Sequence, residues 1–269
     1  MIVLGREKYS SVQLMLKESG FSLFPLINAV VSSNQGGKIY CDSENNISII
    51  FVLHHAGFSQ CFFLNASTDK KNLFDFLSSS VDIPYYFHIY DFDMKDISEF
   101  ESRGLAIRAR ERQQFIYTNK AIQEIFSLRN DYKIEDIHNM NIDKFSSFNL
   151  DLDRKFWISE KDFRKYAYGK CITDEKNNPV SICYSACVTD NISEIDVMTL
   201  DNYKGNGFGR IVTLAFINES IKRNIYPNWD CFTENTSSVK TALSAGFTLL
   251  KKYNFISVYN KIKHEKGRS

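Results

Sequence analysis

Glycine, proline and excess charge of either sign are scarce in this chain. Of its 269 residues, 12 are glycine and 4 are proline, and 33 lysines and arginines balance 32 aspartates and glutamates to a formal net charge of +1. This balance creates no overall field that would attract nucleic acid or an acidic surface, so nucleic acid is not predicted as a partner. Because glycine costs backbone entropy, any cluster of the few glycines needs a physical reason.

Long apolar runs and metal-ligand patterns are also missing. The longest apolar run, residues 47–53, has the length of a buried strand and falls well short of the roughly 18 residues of a membrane span. The first residues, "MIVLGREKYSS", lack the layout of a signal peptide. Six cysteines occur without CxxC spacing, and the adjacent His54 and His55, which we interpret as structural, have no second ligand cluster. The sequence therefore predicts a cytoplasmic protein with reduced thiols, no membrane partner and no metal.

The residues that are present indicate a folded protein in two parts. Hydrophobic residues make up 43% of the chain and include 22 phenylalanines and 14 tyrosines, enough for a substantial core. Turn residues separate short helical and strand-like segments up to about residue 110, and the organisation changes from Glu111. We predict an α/β (α+β) protein with an N-terminal α+β domain (1–110) and a second domain (111–269). From Tyr132 the predicted order is β-α-α-β-β-β-α-β-α-β.

The most informative segment is "TLDNYKGNGFGRIVTLAFI" (199–217), which places three glycines alternately before an apolar helical run. A P-loop would need GxxxxGK[ST], which is absent, and a dinucleotide-binding GxGxxG would need glycine where Arg210 stands. The remaining form is a strand, then Lys204-x-x-Gly207-x-Gly209, then a helix. Successive amides in such a loop, at the positive end of a helix, bind phosphate. A flexible turn between strand and helix is the alternative.

At this loop the chain resembles the GNAT superfamily of acyl-CoA-dependent N-acyltransferases, whose pyrophosphate loop reads (R/Q)xxGx(G/A). The segment "NWDCFTENTSSVKTALSAGF" (228–247) is similar to the later superfamily pattern of strand, asparagine, helix and Gly-Phe. In detail, "SEIDVMTL", "YKGNGFG" and "GKCI…NNPVSICYS" resemble a bacterial branch that includes zwittermicin-type resistance acetyltransferases. The resemblance covers residues 131–259. It implies a C-terminal GNAT fold, a mixed and mostly antiparallel sheet flanked by helices, and allows the N-terminal part to be a degenerate GNAT-like half.

The resemblance also implies the co-substrate acetyl-CoA and the residues that would bind it. The strand before the loop would pair with the pantetheine arm, and the loop would bind the diphosphate. The next strand (228–232) would diverge and leave a cleft for the thioester, and the helix after it would begin near the pantetheine and the phosphates. Lys204 departs from the usual arginine or glutamine and acts on phosphate as a point charge. Asn235 is alternatively a plain helix-start residue. The implied cofactor-binding residues are Val197, Met198, Thr199, Lys204, Gly205, Asn206, Gly207, Phe208, Gly209, Asn235 and Ser238.

The implied reaction is direct attack of a neutral amine on the thioester carbonyl, with a backbone N–H near Met198 stabilising the developing oxyanion. Glu194 and Asp196 share one face of a strand and Asp230 lies on the next strand, so each is a candidate base; all three are alternatively solvated strand residues. Many relatives carry a tyrosine acid where this chain has Ala242. Tyr253 is the chosen substitute, with Tyr184 and Tyr259 as further candidates and a core or rim position as the alternative.

The acceptor is predicted from the carboxylates around this segment. Glu194, Asp196, Asp230 and Glu234 favour a small cationic molecule with a primary amine, such as an antibiotic or a metabolite. A protein lysine or N-terminal acetyltransferase, which would need an open groove, is the first alternative. A non-catalytic acyl-CoA-binding module, which Ala242 allows, is the second. The chain is expected to act as a monomer or a homodimer.

Overall fold

A computed structural model describes residues 1–65, 67–119, 121, 128–149 and 151–260. Within these residues the chain forms seven α-helices and twelve β-strands. The predicted helix "KAIQEIFSL" falls mostly, and the basic tail "KIKHEKGRS" entirely, outside the described residues. None of the helices in the described part is both long and apolar enough to cross a membrane.

The helices are short apart from the one that follows the glycine loop. They are α1 (Tyr9–Glu18), α2 (Pro25–Val31), α3 (Lys71–Ser79), α4 (Ile97–Glu101), α5 (Glu160–Tyr166), α6 (Phe208–Lys222) and α7 (Thr236–Ser244). The strands are β1 (Ile2–Val3), β2 (Gly37–Cys41), β3 (Ile49–His54), β4 (Phe58–Phe63), β5 (Tyr86–Tyr90), β6 (Leu105–Ile116), β7 (Lys133–Asp136), β8 (Gly169–Thr173), β9 (Pro179–Thr189), β10 (Ile192–Thr199), β11 (Tyr226–Phe232) and β12 (Thr248–Asn260).

The first compact unit comprises Met1–Arg112 and the segment from Lys252 onward. Its strands follow the order β1-β2-β3-β4-β5-β12. The pairs are antiparallel, except that β4 and β5 run parallel. Its core is aromatic: Phe51, Phe74 and Phe87 are buried with Leu77 and Ile256. The last strand therefore packs partly with N-terminal residues, whereas the sequence prediction assigned all of it to the second domain.

The second unit, Gln113–Lys251, contains the glycine loop. Its strands follow the order β11-β10-β9-β8-β7, antiparallel except for the parallel pair β10 and β11. Helix α6 packs on this sheet; the ring of Phe216 stacks on that of Tyr168, with 4.7 Å between centroids and 10° between planes. The mixed, mostly antiparallel sheet flanked by helices confirms the predicted fold class.

The two units repeat one topology. In the first, the antiparallel strands β2, β3 and β4 are followed by α3 and then by β5, which is parallel to β4. In the second, β8, β9 and β10 are followed by α6 and then by β11, which is parallel to β10. The connection into α6 carries Gly205, Gly207 and Gly209, whereas residues 64–70 before α3 contain no glycine. Only the second unit thus has the predicted phosphate loop.

In the first unit, other residues pack against the end of the parallel pair of strands β4 and β5. That ladder ends at Gln60 and Tyr90. The backbone N–H of Phe24 donates to Gln60 Oε1 over 3.3 Å, and the Phe24 ring stacks on Tyr90 with 4.3 Å between centroids. Gln60 Nε2 in turn donates to the carbonyl of Ser22 over 3.0 Å. Side chains of the protein itself occupy this position.

Three local predictions differ from the structure. Helix α2 was not predicted, although Pro25 at its first turn is a helix-start residue. Strand β6 is 12 residues long, while only its end, "QFIY", had a strand-like pattern, because charged residues fill its middle. Between β7 and β8 two helices were predicted; the described chain has α5 and, before it, the 3₁₀ segments Ile137–Asn139 and Ile142–Phe148. The side chains of Asp136 and Asn141 cap these segments and favour tight turns.

His54 has the structural role that the sequence suggested. Its ring is fully buried at the end of β3, where Nε2 lies 3.2 Å from Gln35 Oε1 and Nδ1 accepts from the backbone N–H of Ala56 over 3.1 Å. These partners suit a neutral ring that donates through Nε2 and accepts through Nδ1. Burial lowers the pKa of His54 well below its usual value.

Acid should therefore destabilise the protein through His54. Below pH about 6.5 the unfolded chain binds a proton at this histidine and the folded chain does not, so the free energy of unfolding falls by about 1.4 kcal/mol per pH unit. Urea titrations at pH 7.5, 6.5 and 5.5 should show this decline. In His54→Gln, the slope of the free energy of unfolding against pH should be smaller by the contribution of about one proton. Some pH dependence should remain because of His88. Burial, and then the neighbouring positive charge of Arg112, lowers the pKa of His88 to about 4. An unchanged slope in His54→Gln would contradict the assignment.

Candidate functional site

Strands β10 and β11 part from each other in the second unit. Their parallel register covers three residue pairs and ends at Glu194 and Asn228. On its other side β10 continues to pair with β9 as far as Thr199, with an irregularity between Glu194 and Ile195. Such a bulge bends a strand and increases its twist. The result is a gap between the C-terminal halves of β10 and β11.

Backbone groups of β10 face this gap. The N–H of Leu200 donates to the carbonyl of Val180 on β9 over 3.0 Å. Because hydrogen-bonded and non-hydrogen-bonded pairs alternate along an antiparallel ladder, Met198 also bonds toward β9. The N–H and C=O groups of Val197 and Thr199 therefore point to the side on which β11 diverges. An extended chain in the gap can pair with them as an additional strand would.

The glycine loop follows directly and leads into α6. Gly205 and Gly207 have φ values of +82° and +77°, a region that other residues adopt only with strain, and Gly207 is the N-cap of α6. A Cβ added to either residue would meet nothing within 4 Å. A Cβ added to Gly209 would lie 3.6 Å from Thr199 Oγ1 and 3.7 Å from a Thr241 methyl. Backbone conformation requires the first two glycines, and the third keeps the space between β10 and α7 open.

The gap and the loop open into one cavity of about 850 Å³. Of the eleven residues predicted to bind the cofactor, all but Asn206 line it. The side chain of Asn206 bonds back to the carbonyls of Tyr203 and Lys204 instead. The lining residues are Ser147, Phe148, Asn149, Val197, Met198, Thr199, Leu200, Asp201, Tyr203, Lys204, Gly205, Gly207, Phe208, Gly209, Arg210, Trp229, Asn235, Ser237, Ser238, Lys240, Thr241 and Ser244.

The start of α7 forms a wall of this cavity. Asn235 Oδ1 accepts from the backbone N–H of Ser238 over 3.1 Å, so Asn235 is the helix cap that the alternative interpretation proposed, and it lines the cavity as well. The indole N–H of Trp229 on β11 donates to Ser238 Oγ over 3.0 Å. This bond joins the diverging strand to the helix. Sequence reasoning missed Trp229.

Basic side chains are part of the cavity lining. Lys204 Nζ lies 2.6 Å from Asp201 Oδ1, both being exposed, and this ion pair lowers the pKa of Asp201. Arg210 and Lys240 also line the cavity and were not predicted. Arg210 stands next to the last loop glycine, which was a usable signal. Lys240 could not be singled out, because the face of α7 that meets the cavity depends on packing.

The sequence pattern of the GNAT acetyltransferase family matches residues 24–256. The chain belongs to the GNAT acetyltransferase family. The match begins much earlier than the resemblance over residues 131–259, so the GNAT pattern includes most of the N-terminal unit as well.

Individual GNAT relatives extend over nearly the whole chain. A protein of Bacillus subtilis (strain 168) named uncharacterized N-acetyltransferase YdfB is 24% identical over 261 residues, which are 93% of this chain and 95% of YdfB. The crystal structure of a GCN5-related N-acetyltransferase-like protein from Streptococcus suis has a TM-score of 0.70 at 18% identity, covering 94% of this chain and 100% of that one. A tandem GNAT protein from the clavulanic acid biosynthesis pathway has a TM-score of 0.67 at 9% identity, covering 96% and 98%. These structures share the fold.

None of the carboxylates predicted as bases lines the GNAT cavity. Glu194 is buried where β10 and β11 part, and Asp230 is half-buried on β11. Asp196 precedes the cavity-lining Val197, and its side chain is 23% exposed. Asp196 Oδ2 lies 2.7 Å from Lys155 Nζ and accepts from the hydroxyl of Tyr184 over 2.8 Å. Asp196 is the best candidate base of the three, because its side chain is partly exposed and it lies next to a residue that lines the cavity.

The tyrosines suggested as acids do not line this cavity either. Tyr253 belongs to the first unit, where it is buried with its ring 4.7 Å from that of Phe24. Tyr184 is buried, and burial, with the neighbouring Asp196, raises its pKa well above the usual value, so it stays protonated and donates to Asp196. Tyr259 also lies in the first unit. Ala242 is a buried core residue of α7.

Proposed function

We propose that this GNAT acetyltransferase moves an acetyl group from acetyl-CoA to a primary amine of a small cationic molecule, such as an antibiotic or a metabolite. The observation that carries the proposal is that the gap beside Val197–Thr199 and the positive-φ loop at the start of α6 open into one cavity. A donor that combines a diphosphate with an extended amide-containing arm suits such a cavity. Acetyl-CoA supplies the acetyl group already activated as a thioester.

The loop fits the diphosphate by its open backbone. Gly205 and Gly207 leave space where other residues would place a Cβ, so the main chain can approach a ligand closely. Amides at the N-terminus of α6 favour anions. Lys204 adds a positive charge once it exchanges Asp201 for phosphate. The β10 groups of Val197 and Thr199 would pair with the pantetheine arm, and one of these two N–H groups would stabilise the developing oxyanion.

Asp196 is the proposed acceptor of the proton that the amine loses. An alkylamine has a pKa of about 10.4 and must be deprotonated before it can attack a carbonyl. The Lys155 ammonium and the Tyr184 hydroxyl hold the Asp196 carboxylate in place. A cationic acceptor would compete with Lys155 for this carboxylate. A thiol with a pKa of about 8.5 is a tolerable leaving group, so Ala242 does not prevent the reaction.

The proposed class of acceptor is based on a sequence resemblance. The segments around the loop resemble a bacterial branch of the superfamily that includes zwittermicin-type resistance acetyltransferases. The likeness to a tandem GNAT protein and the repeated topology support the further proposal that the N-terminal unit is a degenerate GNAT-like half.

Binding and turnover test the proposal separately. Isothermal titration should give a specific complex with acetyl-CoA, and a thiol assay should detect coenzyme A release with some primary amines. The panel should include polyamines, aminoglycosides and amino acids beside lysine-containing and free N-terminal peptides. Release with peptides alone would favour a protein acetyltransferase, and binding without any release a non-catalytic acyl-CoA module. The absence of acetyl-CoA binding would contradict all three.

A further inference from the structure

The second unit contains another cavity, of about 340 Å³, which we call the polar cavity. It is lined by residue 135 on β7, residues of the segment 139–144, residue 173 at the end of β8 and residue 177 in the turn before β9. All of these described lining residues except Met140 are polar. The polar cavity shares no lining residue with the cavity beside the glycine loop. Its size suits a small molecule, and its lining suits a charged one.

The floor of the polar cavity is one face of the β7–β8 pair. Glu135 lies directly opposite Cys171 in the antiparallel register, and Thr173 follows Cys171 by two residues, so the three side chains share this face. The thiol of Cys171 donates to Met140 Sδ over 3.3 Å, which shows that the segment after β7 covers the same face. Glu135 and Thr173 therefore point toward the segment that encloses the polar cavity.

Two polar groups of this floor lack hydrogen bonds. Thr173 is fully buried, and its hydroxyl has no hydrogen-bond partner within the described chain. The half-buried Glu135 carboxylate makes neither a hydrogen bond nor an ion pair with any described residue. Native proteins provide partners for almost all of their buried polar groups. The ammonium group of a ligand can donate to both oxygens and so supply the missing partner.

The cation of the polar cavity is held on the opposite side. Lys144 Nζ donates to the carbonyl of Asn177 over 2.9 Å, which places the ammonium beside the β8–β9 turn. This bond uses one of the three donors of an ammonium group. Lys144 forms no ion pair with the part of the chain that the structure describes. The polar cavity thus combines one carboxylate and one ammonium group, and neither has a protein counter-ion among the described residues.

We propose that the polar cavity binds a free α-amino acid, with the ligand's ammonium group on Glu135 and Thr173 and its carboxylate on Lys144. A zwitterion provides a partner for both charges at once, whereas a simple amine or a simple carboxylate leaves one of them unpaired. Charge-assisted hydrogen bonds of this kind are stronger than neutral ones, so they provide affinity as well as orientation. The site is independent of the proposed function, because no residue of the acetyl-CoA site takes part in it.

Isothermal titration of the protein with each of the common amino acids tests for this site. At least one should bind, and its N-acetylated and carboxyl-amidated forms should bind about tenfold more weakly, because each has lost one of the two charges. Glu135→Gln and Lys144→Met should each weaken binding of the unmodified amino acid about tenfold. Glu175→Gln and Lys161→Met are the controls, because both residues are exposed, belong to the same unit and do not line the polar cavity.

Titrating the variants with the modified ligands assigns each contact. Lys144→Met should bind the amidated form, and Glu135→Gln the N-acetylated form, within about twofold of the wild type, because the contact is already lost in the ligand. The proposal is wrong if no amino acid binds, if neither substitution weakens binding, or if the control variants weaken it equally. The modified ligands test the wild type on its own, so this result does not depend on the folding of any variant.

Discussion

Gly207→Glu is expected to weaken acetyl-CoA binding at least about 100-fold, equivalent to about 2.7 kcal/mol. Gly207 caps α6 with φ +77°, where a side chain costs roughly 1–2 kcal/mol of strain and tends to shift the backbone. The new carboxylate would also stand at the helix N-terminus, where the diphosphate is proposed to bind. Isothermal titration of acetyl-CoA measures the loss directly.

Gly20→Glu provides a matched control for this change. Gly20 has φ +75°, and an added Cβ there meets nothing within 4 Å, as at Gly207. It belongs to the first unit and does not line the cavity. Both variants should lose a similar amount of stability, roughly 1–2 kcal/mol, in urea titrations. Binding that survives in Gly207→Glu, or that is lost equally in Gly20→Glu, would remove the loop from the donor site.

Asp196→Asn is expected to lower the turnover number for the best amine in the panel by about 100-fold or more, the usual contribution of a general base. The amide keeps the shape of the side chain and can still accept from Tyr184, but it takes up no proton at neutral pH. Lys155 loses its ionic partner and, being 36% exposed, can be hydrated instead. Acetyl-CoA affinity should stay within about threefold of the wild type, because the predicted loss concerns proton transfer.

Asp190→Asn is the control for the second prediction. Asp190 lies in the turn between β9 and β10 with φ +50°, a conformation that asparagine tolerates well, and it does not line the cavity. Its turnover should equal that of the wild type. If Asp196→Asn also kept near-normal turnover, the proton would have to go elsewhere. Glu194→Gln and Asp230→Asn would then be the variants to measure.

The glycine loop shows how far local sequence carries a prediction. Three alternating glycines in a glycine-poor chain predicted an open loop between strand and helix, and Gly205 and Gly207 do adopt positive φ. Capping is equally local, so the start of α7 at Asn235 was readable from the sequence. The divergence of β10 from β11, by contrast, was expected only through the family resemblance.

Other parts of the site depend on packing between distant segments. Lys240 was missed because nothing in the sequence of α7 says which face meets the cavity. Lys155 and Asp196 are 41 residues apart, and their contact exists only in the folded chain. The N-terminal part was only allowed to be a GNAT-like half, and the resemblance itself was given for residues 131–259, because residues 64–70, at the position of the loop, lack the glycines that made the second unit recognisable.

Phe24 makes the two topologically similar units differ at the end of their parallel ladders. Its backbone N–H donates to Gln60 and its ring stacks on Tyr90, so protein groups fill the end of the β4–β5 ladder. In the second unit, the strands of the equivalent ladder part at this position and leave a gap. Under the proposed function, the repeated topology therefore provides one donor site, which lies in the second unit. Natural variation in the first unit should then follow the demands of core packing.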